Sequence, residues 1–252
     1  MRFLCLHGKG TNSDIFEAQL AWLRSRVSPS HTFDFIDAEF DCPPSPGVVD
    51  FYPGPYLGWH ACYYPSAVEK THDTLREIIE EDGPYDGVIG FSEGAAVAAS
   101  LLLCDEHWKQ TGDSRARPSP LFKLAIFFNS VMLFSPSEDL GVQIGHKIKD
   151  QEDKLAGFTH GLTGDDNGPD DIPNVYAFTP EFSARISVPT LHVIGSEDLF
   201  TESSRELADL CPGQAEVVVH DGGHELPRGE VTMDRCGALF ETLVMMASVG
   251  EA

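Results

Sequence analysis

Short runs of apolar, strand-forming residues alternate with amphipathic segments along most of this chain, and this alternation constrains the fold more than any other feature. The segments between the runs carry apolar residues at the three-to-four-residue spacing of a helix face. Strands that alternate with helices imply an α/β fold with a mostly parallel central sheet and helices on both faces. The predicted strands are 3–6, 32–37, 88–89, 124–128, 190–194 and 216–219. The predicted helices are 12–27, 66–81, 95–104, 203–210 and 231–247.

The length of 252 residues suits one hydrophobic core, so we expect a single domain over residues 1–252. Two stretches depart from the strand–helix pattern. Residues 42–65 are rich in proline and aromatic side chains, which predicts a long loop because prolines lack amide donors. Residues 136–180 are polar and carry several glycines, and we interpret them as an insertion or lid.

The net charge of −23 restricts the range of partners. Forty acidic side chains against 17 basic ones would repel phosphate backbones and anionic lipid surfaces, so nucleic acid and membranes are not expected partners. No apolar run reaches the roughly 18 residues of a membrane span, and the apolar N-terminal run is too short for the core of a signal peptide. The six cysteines are scattered without a paired motif, which predicts separate thiols and a cytoplasmic location.

A candidate nucleophile lies between the predicted strand 88–89 and the predicted helix 95–104. The motif is Gly90-Phe91-Ser92-Glu93-Gly94, a G-x-S-x-G sequence in the strand–turn–helix context of a nucleophile elbow. Its glycines permit a sharp turn that leaves the Ser92 hydroxyl above the edge of the sheet. The motif alone is also compatible with a glycine-rich turn and a capping serine.

A nucleophilic serine needs a histidine as base and an acid that orients the histidine. In this architecture the acid and then the histidine follow the serine, each in a loop after a later strand. Asp198 follows the strand 190–194, and His224 follows the strand 216–219. We therefore predict Asp198 as the acid and His224 as the base.

Other side chains in the same loops are weaker candidates. Glu197 neighbours Asp198 and stays open as an alternative acid. Asp221 is more typical of a turn former. His220 ends its strand directly, and His192 lies within a strand, where it is expected to belong to the core.

The oxyanion of an acyl-transfer reaction needs two backbone donors. One is the amide of Glu93, directly after the nucleophile. The second is predicted from the loop His7-Gly8-Lys9-Gly10 that follows the first strand, through the Lys9 amide. The histidines show no metal-ligand spacing, and Gly8-Lys9-Gly10 lacks the third glycine of a dinucleotide site, so neither a metal nor a cofactor is predicted.

Several of these segments together resemble one family, the FSH-type serine hydrolases of the α/β-hydrolase superfamily. They are Leu4-Cys5-Leu6-His7-Gly8, the stretch 83–96 from Gly-Pro-Tyr-Asp-Gly to Gly-Ala-Ala, Gly195-Ser196-Glu197-Asp198 and Gly223-His224. The loop Gly54-Pro55-Tyr56-Leu57-Gly58-Trp59 and the sequence Phe91 to Ala95 are similar to fungal polyketide-pathway thioesterases of the lovastatin and citrinin type.

This resemblance implies a serine hydrolase that cleaves an acyl thioester, with a polyketide on the carrier domain of a synthase as the candidate substrate. Hydrolysis of small-molecule esters, or ligand binding without catalysis, stays open. We further predict that the proline- and aromatic-rich stretch 42–65, called the aromatic loop below, and residues 158–182 form pocket walls or a lid over an apolar acyl chain. The pocket residues predicted in the loop are Tyr56, Trp59, Tyr63 and Tyr64.

Overall fold

The computed structural model describes residues 1–150, 173–213 and 215–249, with the backbone alone for residues 149 and 150. The strands are β1 (Arg2–Leu6), β2 (Thr32–Ile36), β3 (Phe40–Asp41), β4 (Leu57–Gly58), β5 (Gly87–Phe91), β6 (Leu124–Phe128), β7 (Val142–Gln143), β8 (Tyr176–Ala177), β9 (Thr190–Gly195) and β10 (Ala215–His220). The described helices are α1 (Ser13–Gln19), α2 (Ala21–Arg24), α3 (Pro65–Asp82), α4 (Glu93–Thr111), α5 (Gly145–Asp150), α6 (Thr201–Asp209) and α7 (Glu230–Val249).

Six of the strands form one central sheet in the order β10-β9-β6-β5-β1-β2, and every neighbouring pair is parallel. The carboxyl ends of all six strands therefore lie at one edge, where open α/β sheets bind their ligands. β5, which leads into Ser92, lies between β1 and β6. The predicted α/β fold with a mostly parallel sheet is confirmed.

Alternate side chains of each central strand supply two separate cores, one on each face of the sheet. In β1, Phe3 and Cys5 pack in a cluster with residues of α1, α2 and α7, including Phe16 and Phe240. Leu4 and Leu6 pack on the opposite face with residues of α3, α4 and α6. Because both faces are covered, the central strands β5 and β6 are buried at every residue.

The predicted helices 66–81, 203–210 and 231–247 agree with α3, α6 and α7 to within two residues at each end, and the other two differ more. The predicted helix 12–27 is divided into α1 and α2 at Leu20. The predicted helix 95–104 is longer at both ends, because α4 begins at Glu93 and ends only where Gly112 adopts a left-handed φ of 68°. Trp108 stays buried in the added C-terminal part, so packing against the core continues beyond the small-residue segment.

The two irregular stretches contain short pieces of regular structure. β4 lies within the aromatic loop and pairs with β3. In the region interpreted as a lid, β7 pairs with β8, and α5 follows β7. Residues 151–172 of this region lie outside the described residues, so the lid over 136–180 and the single domain over 1–252 stay predictions.

The predicted separate thiols agree with the structure. Cys5, Cys42, Cys62, Cys104, Cys211 and Cys236 are all free thiols. No helix in the described part of the chain combines the length and apolar character that a membrane span requires.

His192 and His60 are among the histidines that this fold buries as neutral side chains. His192 lies in β9, is 1% exposed and makes a 3.0 Å hydrogen bond with the Thr190 hydroxyl. His60 lies at the base of the aromatic loop and makes a 2.9 Å hydrogen bond with the Thr71 hydroxyl. Burial lowers the pKa of each ring to about 3, because a charged imidazole would lose its hydration.

We predict that the free energy of unfolding of the His192→Gln variant falls less steeply than that of the wild type as the pH is lowered. Between pH 6.5 and about 3 the unfolded chain binds a proton at residue 192 and the folded chain does not, so stability falls as pH is lowered. This histidine contributes a slope of about 1.4 kcal/mol per pH unit in that window. Urea unfolding at several pH values measures the slope. The exposed His146 provides the control variant, His146→Gln, and equal slopes for the two variants would contradict the prediction.

Candidate active site

Ser92 lies at a sharp turn between the end of β5 and the start of α4, with φ 55° and ψ −119°. This backbone is strained for a residue with a Cβ, and the surrounding contacts hold it in place. A Cβ on Gly94 would lie 2.2 Å from the Leu6 carbonyl oxygen, and one on Gly90 would lie 2.5 Å from the Ala95 backbone. Both motif glycines are therefore required by the close packing of α4 on the sheet.

The structure brings Ser92, His224 and Asp198 together in one chain of hydrogen bonds. The Ser92 hydroxyl lies 2.8 Å from Nε2 of His224, and Nδ1 of His224 lies 2.8 Å from Oδ2 of Asp198. The carboxylate accepts at Oδ2, so Nδ1 carries the proton and the lone pair of Nε2 faces the serine. The Asp198 side chain is fully buried, and its Oδ1 accepts from the Phe200 amide at 2.9 Å.

The acid loop and the histidine loop are packed directly against each other. A Cβ on Gly195 would lie 2.2 Å from the Gly223 carbonyl oxygen, so a larger residue would separate the loops. The Glu197 amide donates to the Gly222 carbonyl oxygen at 3.0 Å. The ring of His224 lies between Phe91 and Phe200, with centroids at 5.4 and 5.2 Å.

Asn129, the first residue after β6, holds both of these loops. Its Oδ1 accepts from the Gly195 amide at 2.8 Å, and its Nδ2 donates to the Glu225 carbonyl oxygen at 2.7 Å. The residue is 1% exposed and has a positive φ of 44°. One amide side chain thus fixes the start of the acid loop and the residue that follows His224.

The backbone of the first loop lies beside the nucleophile. A Cβ on Gly8 would lie 3.2 Å from the Ser92 Cβ, which places the Gly8–Lys9 peptide close to the serine. Glu93 begins α4, and the first amides of a helix have no acceptor within it. The two amides predicted for the oxyanion therefore belong to segments that meet at Ser92.

The Glu93 side chain is buried against the aromatic loop, a feature that the sequence did not predict. Oε1 accepts from the Tyr63 hydroxyl at 2.5 Å, and Oε2 accepts from the Trp59 amide at 2.9 Å. Nζ of Lys9 donates to the same tyrosine oxygen at 3.0 Å. Burial raises the pKa of Glu93, and burial together with the nearby carboxylate raises the pKa of Tyr63.

His7 fixes the other side of the first loop. Its Nε2 accepts from the Ala38 amide at 3.0 Å, so Nδ1 carries the proton and donates to the Gly8 carbonyl oxygen at 2.8 Å. The Trp59 indole donates to the His7 carbonyl oxygen at 2.8 Å. Burial lowers the pKa of His7, consistent with a neutral ring in this arrangement.

The four predicted pocket residues differ in their surroundings. Trp59 and Tyr63 are 4% and 3% exposed, and their polar atoms bond to protein groups. Tyr64 is buried in a cluster with Val68 and other apolar residues. Tyr56 is half-buried and donates to the Tyr52 carbonyl oxygen at 2.8 Å. Trp59 and Tyr63 thus support the first loop from inside, and a role as pocket walls stays a prediction for all four.

The alternative side chains lie away from the chain of hydrogen bonds. Glu197 and Asp221 are exposed. Nδ1 of His220 accepts from the Gly222 amide at 3.1 Å within its own turn. His192 is in the core, as expected.

Sequence reasoning missed the roles of Asn129 and of the Glu93 and Tyr63 side chains. A polar residue directly after a buried strand, at the edge where the loops meet, was an available signal for Asn129. Glu93 follows the pattern of an acidic residue in the first turn of a helix, so its sequence position carries no sign of the contact with Tyr63.

The parallel sheet, the strained serine and its histidine partner define an α/β-hydrolase of the serine-hydrolase class. The model of the serine hydrolase (FSH1) family matches residues 1–235, and the chain belongs to that family. It is 31% identical to esterase FPY3 of Fusarium mangiferae, with all of both chains covered. It is 30% identical to esterase alnB of Emericella nidulans, with 90% of each chain covered.

A carboxylesterase of Bacillus cereus has the same fold. Its crystal structure superimposes with a TM-score of 0.54 at 16% identity, and covers 96% of this chain and 87% of that one. The family model and the two fungal relatives confirm the predicted family, and the protein is a hydrolytic enzyme.

We predict that Asn129→Asp lowers kcat at least about 10-fold while the protein stays folded. Aspartate keeps the acceptor for Gly195 but presents an oxygen to the Glu225 carbonyl oxygen, which releases the loop that carries His224. Ser204→Ala is the matched control, because it removes a buried hydrogen bond to the neighbouring Ser130 carbonyl oxygen without touching that loop. Steady-state kinetics measure both variants, and equal kcat values would contradict the prediction.

Proposed function

We propose that this enzyme hydrolyses an acyl thioester through a covalent acyl-enzyme, with Ser92 as nucleophile, His224 as general base and acid, and Asp198 as the acid that orients His224. The observation that carries the proposal is the pair of 2.8 Å hydrogen bonds from Ser92 to His224 and from His224 to Asp198. A serine becomes nucleophilic when an adjacent base accepts its proton.

In the first half-reaction, the Ser92 hydroxyl transfers its proton to Nε2 of His224 while Oγ forms a bond to the acyl carbon. The carbonyl oxygen takes the displaced electron pair and accepts hydrogen bonds from the Lys9 and Glu93 amides. The intermediate collapses, the carbon–sulfur bond breaks, and the thiol leaves with the proton of His224. Asp198 stabilises the imidazolium that forms between these steps.

In the second half-reaction, water gives a proton to His224 and its oxygen attacks the acyl carbon. The second oxyanion occupies the same two amides. When it collapses, the bond from Oγ to carbon breaks, Ser92 regains the proton from His224, and a carboxylic acid leaves. No metal or cofactor enters either half-reaction.

The thioester is favoured by the resemblance of the Phe91–Ala95 motif and the aromatic loop to polyketide-pathway thioesterases. A carrier domain that holds a polyketide is the proposed donor, and the proposed location is the cytoplasm. A carboxylesterase acting on small esters is the second candidate, because two relatives that match 90% and 100% of the chain are named esterases. Both substrates pass through the same acyl-enzyme.

We predict that Ser92→Ala lowers kcat by about 10⁴-fold or more and abolishes labelling by a fluorophosphonate. Ser100→Ala is the matched control, because Ser100 is a buried serine of the same helix that donates to the Phe134 carbonyl oxygen. It should keep both labelling and turnover. Undiminished turnover by folded Ser92→Ala protein would contradict the mechanism.

We predict that the enzyme releases free acid from an acyl-loaded carrier domain with a higher kcat/KM than it shows for short p-nitrophenyl esters. Mass spectrometry of the carrier and of the released product measures the reaction and distinguishes a free acid from a lactone. Ser92→Ala protein gives the background rate of thioester loss. Activity on esters alone would reject the thioesterase and leave the carboxylesterase.

A further inference from the structure

We propose that Tyr63 is a positioning residue that sets the distance between Lys9 and Glu93, the two residues whose amides form the proposed oxyanion hole. The inference rests on the proposed function, because it assigns a task to a contact behind that site. Lys9 and Glu93 lie 84 residues apart in sequence and belong to different segments, the loop after β1 and the start of α4. Both backbone amides can bind one oxyanion only if the distance between them is fixed.

The Tyr63 hydroxyl joins the side chains of these two residues. It accepts from Nζ of Lys9 at 3.0 Å and donates to Oε1 of Glu93 at 2.5 Å. A charged group takes part in each of these hydrogen bonds, and such bonds are stronger than neutral ones. A cation, a hydroxyl and a carboxylate therefore form one bridge from the first loop to the helix that begins at Ser92.

The tyrosine itself has little freedom. It is 3% exposed, and its ring packs at 4.2 Å from Phe134 and 5.3 Å from His60 between ring centroids. Its hydroxyl therefore occupies a position fixed by the core. The second oxygen of Glu93 is fixed as well, by the Trp59 amide at 2.9 Å.

The bridge from Lys9 through Tyr63 to Glu93 differs from an ordinary hydrogen bond in the core because of the two residues that it joins. Each partner carries, on its own backbone, one of the two proposed donors to the oxyanion. Such donors act only when they lie about 2.7–3.1 Å from the place that the oxyanion will occupy. A bridge that fixes both residues thus contributes more to stabilisation of the transition state than to binding of the ester or thioester substrate.

We predict that Tyr63→Phe lowers kcat about 10-fold to 100-fold and leaves KM within about twofold. The complete loss of one donor costs about 10²–10³ in kcat, and a displaced donor costs less. The affinity of a boronic acid that adds to Ser92 should fall by a similar factor, because its tetrahedral adduct occupies the oxyanion position. Steady-state kinetics and inhibitor titration measure the two effects.

Tyr85→Phe is the matched control. Tyr85 is another buried tyrosine, 5% exposed, and its ring lies under the Arg2 guanidinium before β5, at the opposite edge of the sheet. Its kcat and boronic acid affinity should equal those of the wild type. Equal kcat for Tyr63→Phe and the wild type would overturn the inference. A rise in KM with unchanged kcat would also overturn it, because that result indicates that Tyr63 belongs to the wall of the substrate pocket.

A second variant tests the bridge without changing the tyrosine. Lys9→Met keeps the backbone amide and removes the ammonium group, and it should lower kcat in the same way. If both residues act through one bridge, the double variant should lose no more than the larger single loss. Additive losses would overturn the inference.

The same assays separate this inference from the proposed function. Full activity of folded Ser92→Ala protein would reject the proposed mechanism whatever Tyr63→Phe shows. Inactive Ser92→Ala together with fully active Tyr63→Phe would reject the bridge alone.

Discussion

The first turn of α4 lies directly against the end of β1, and the rest of the site depends on this contact. A Cβ at Gly94 would meet the Leu6 carbonyl oxygen at 2.2 Å, so only glycine allows the helix to begin there. Ser92, two residues before this glycine, has a positive φ of 55°, and the first amides of the helix that follows have no acceptor within it. The position of the nucleophile and the start of α4 beside the first loop therefore depend on one close packing of backbone on backbone.

The base and its acid are placed by a second contact of the same kind, between loops after β9 and β10. Gly195 lies against the Gly223 carbonyl oxygen, and Asn129 joins both loops to the end of β6. Three neighbouring strands thus supply one rigid unit behind His224. Preorganisation of this sort is achieved by buried polar groups, since a loop held only by apolar contacts could shift by the fraction of an ångström that proton transfer cannot tolerate.

Sequence alone predicted the strands of the central sheet well and predicted which side chains would meet at its edge. The reason is local: each of Ser92, Asp198 and His224 follows a buried strand, and parallel strands bring their carboxyl ends together. The bridge through Tyr63 has no such local signature. It depends on a contact between the irregular aromatic loop and Glu93, which lies 30 residues after Tyr63 in the sequence. Hydrophobic periodicity does not predict how such a loop folds.

The bridge also offsets the charge of the Glu93 carboxylate. A buried carboxylate beside the nucleophile would oppose the negative charge that develops on the oxyanion, because interactions are strong where water is excluded. The Lys9 ammonium group, linked to the carboxylate through Tyr63, offsets that charge, and the Trp59 amide bonds to the remaining oxygen. The group is then close to neutral as a whole. The carboxylate can thus hold the aromatic loop on α4 without weakening the stabilisation of the oxyanion by the two amides. An unpaired carboxylate at this position would weaken that stabilisation.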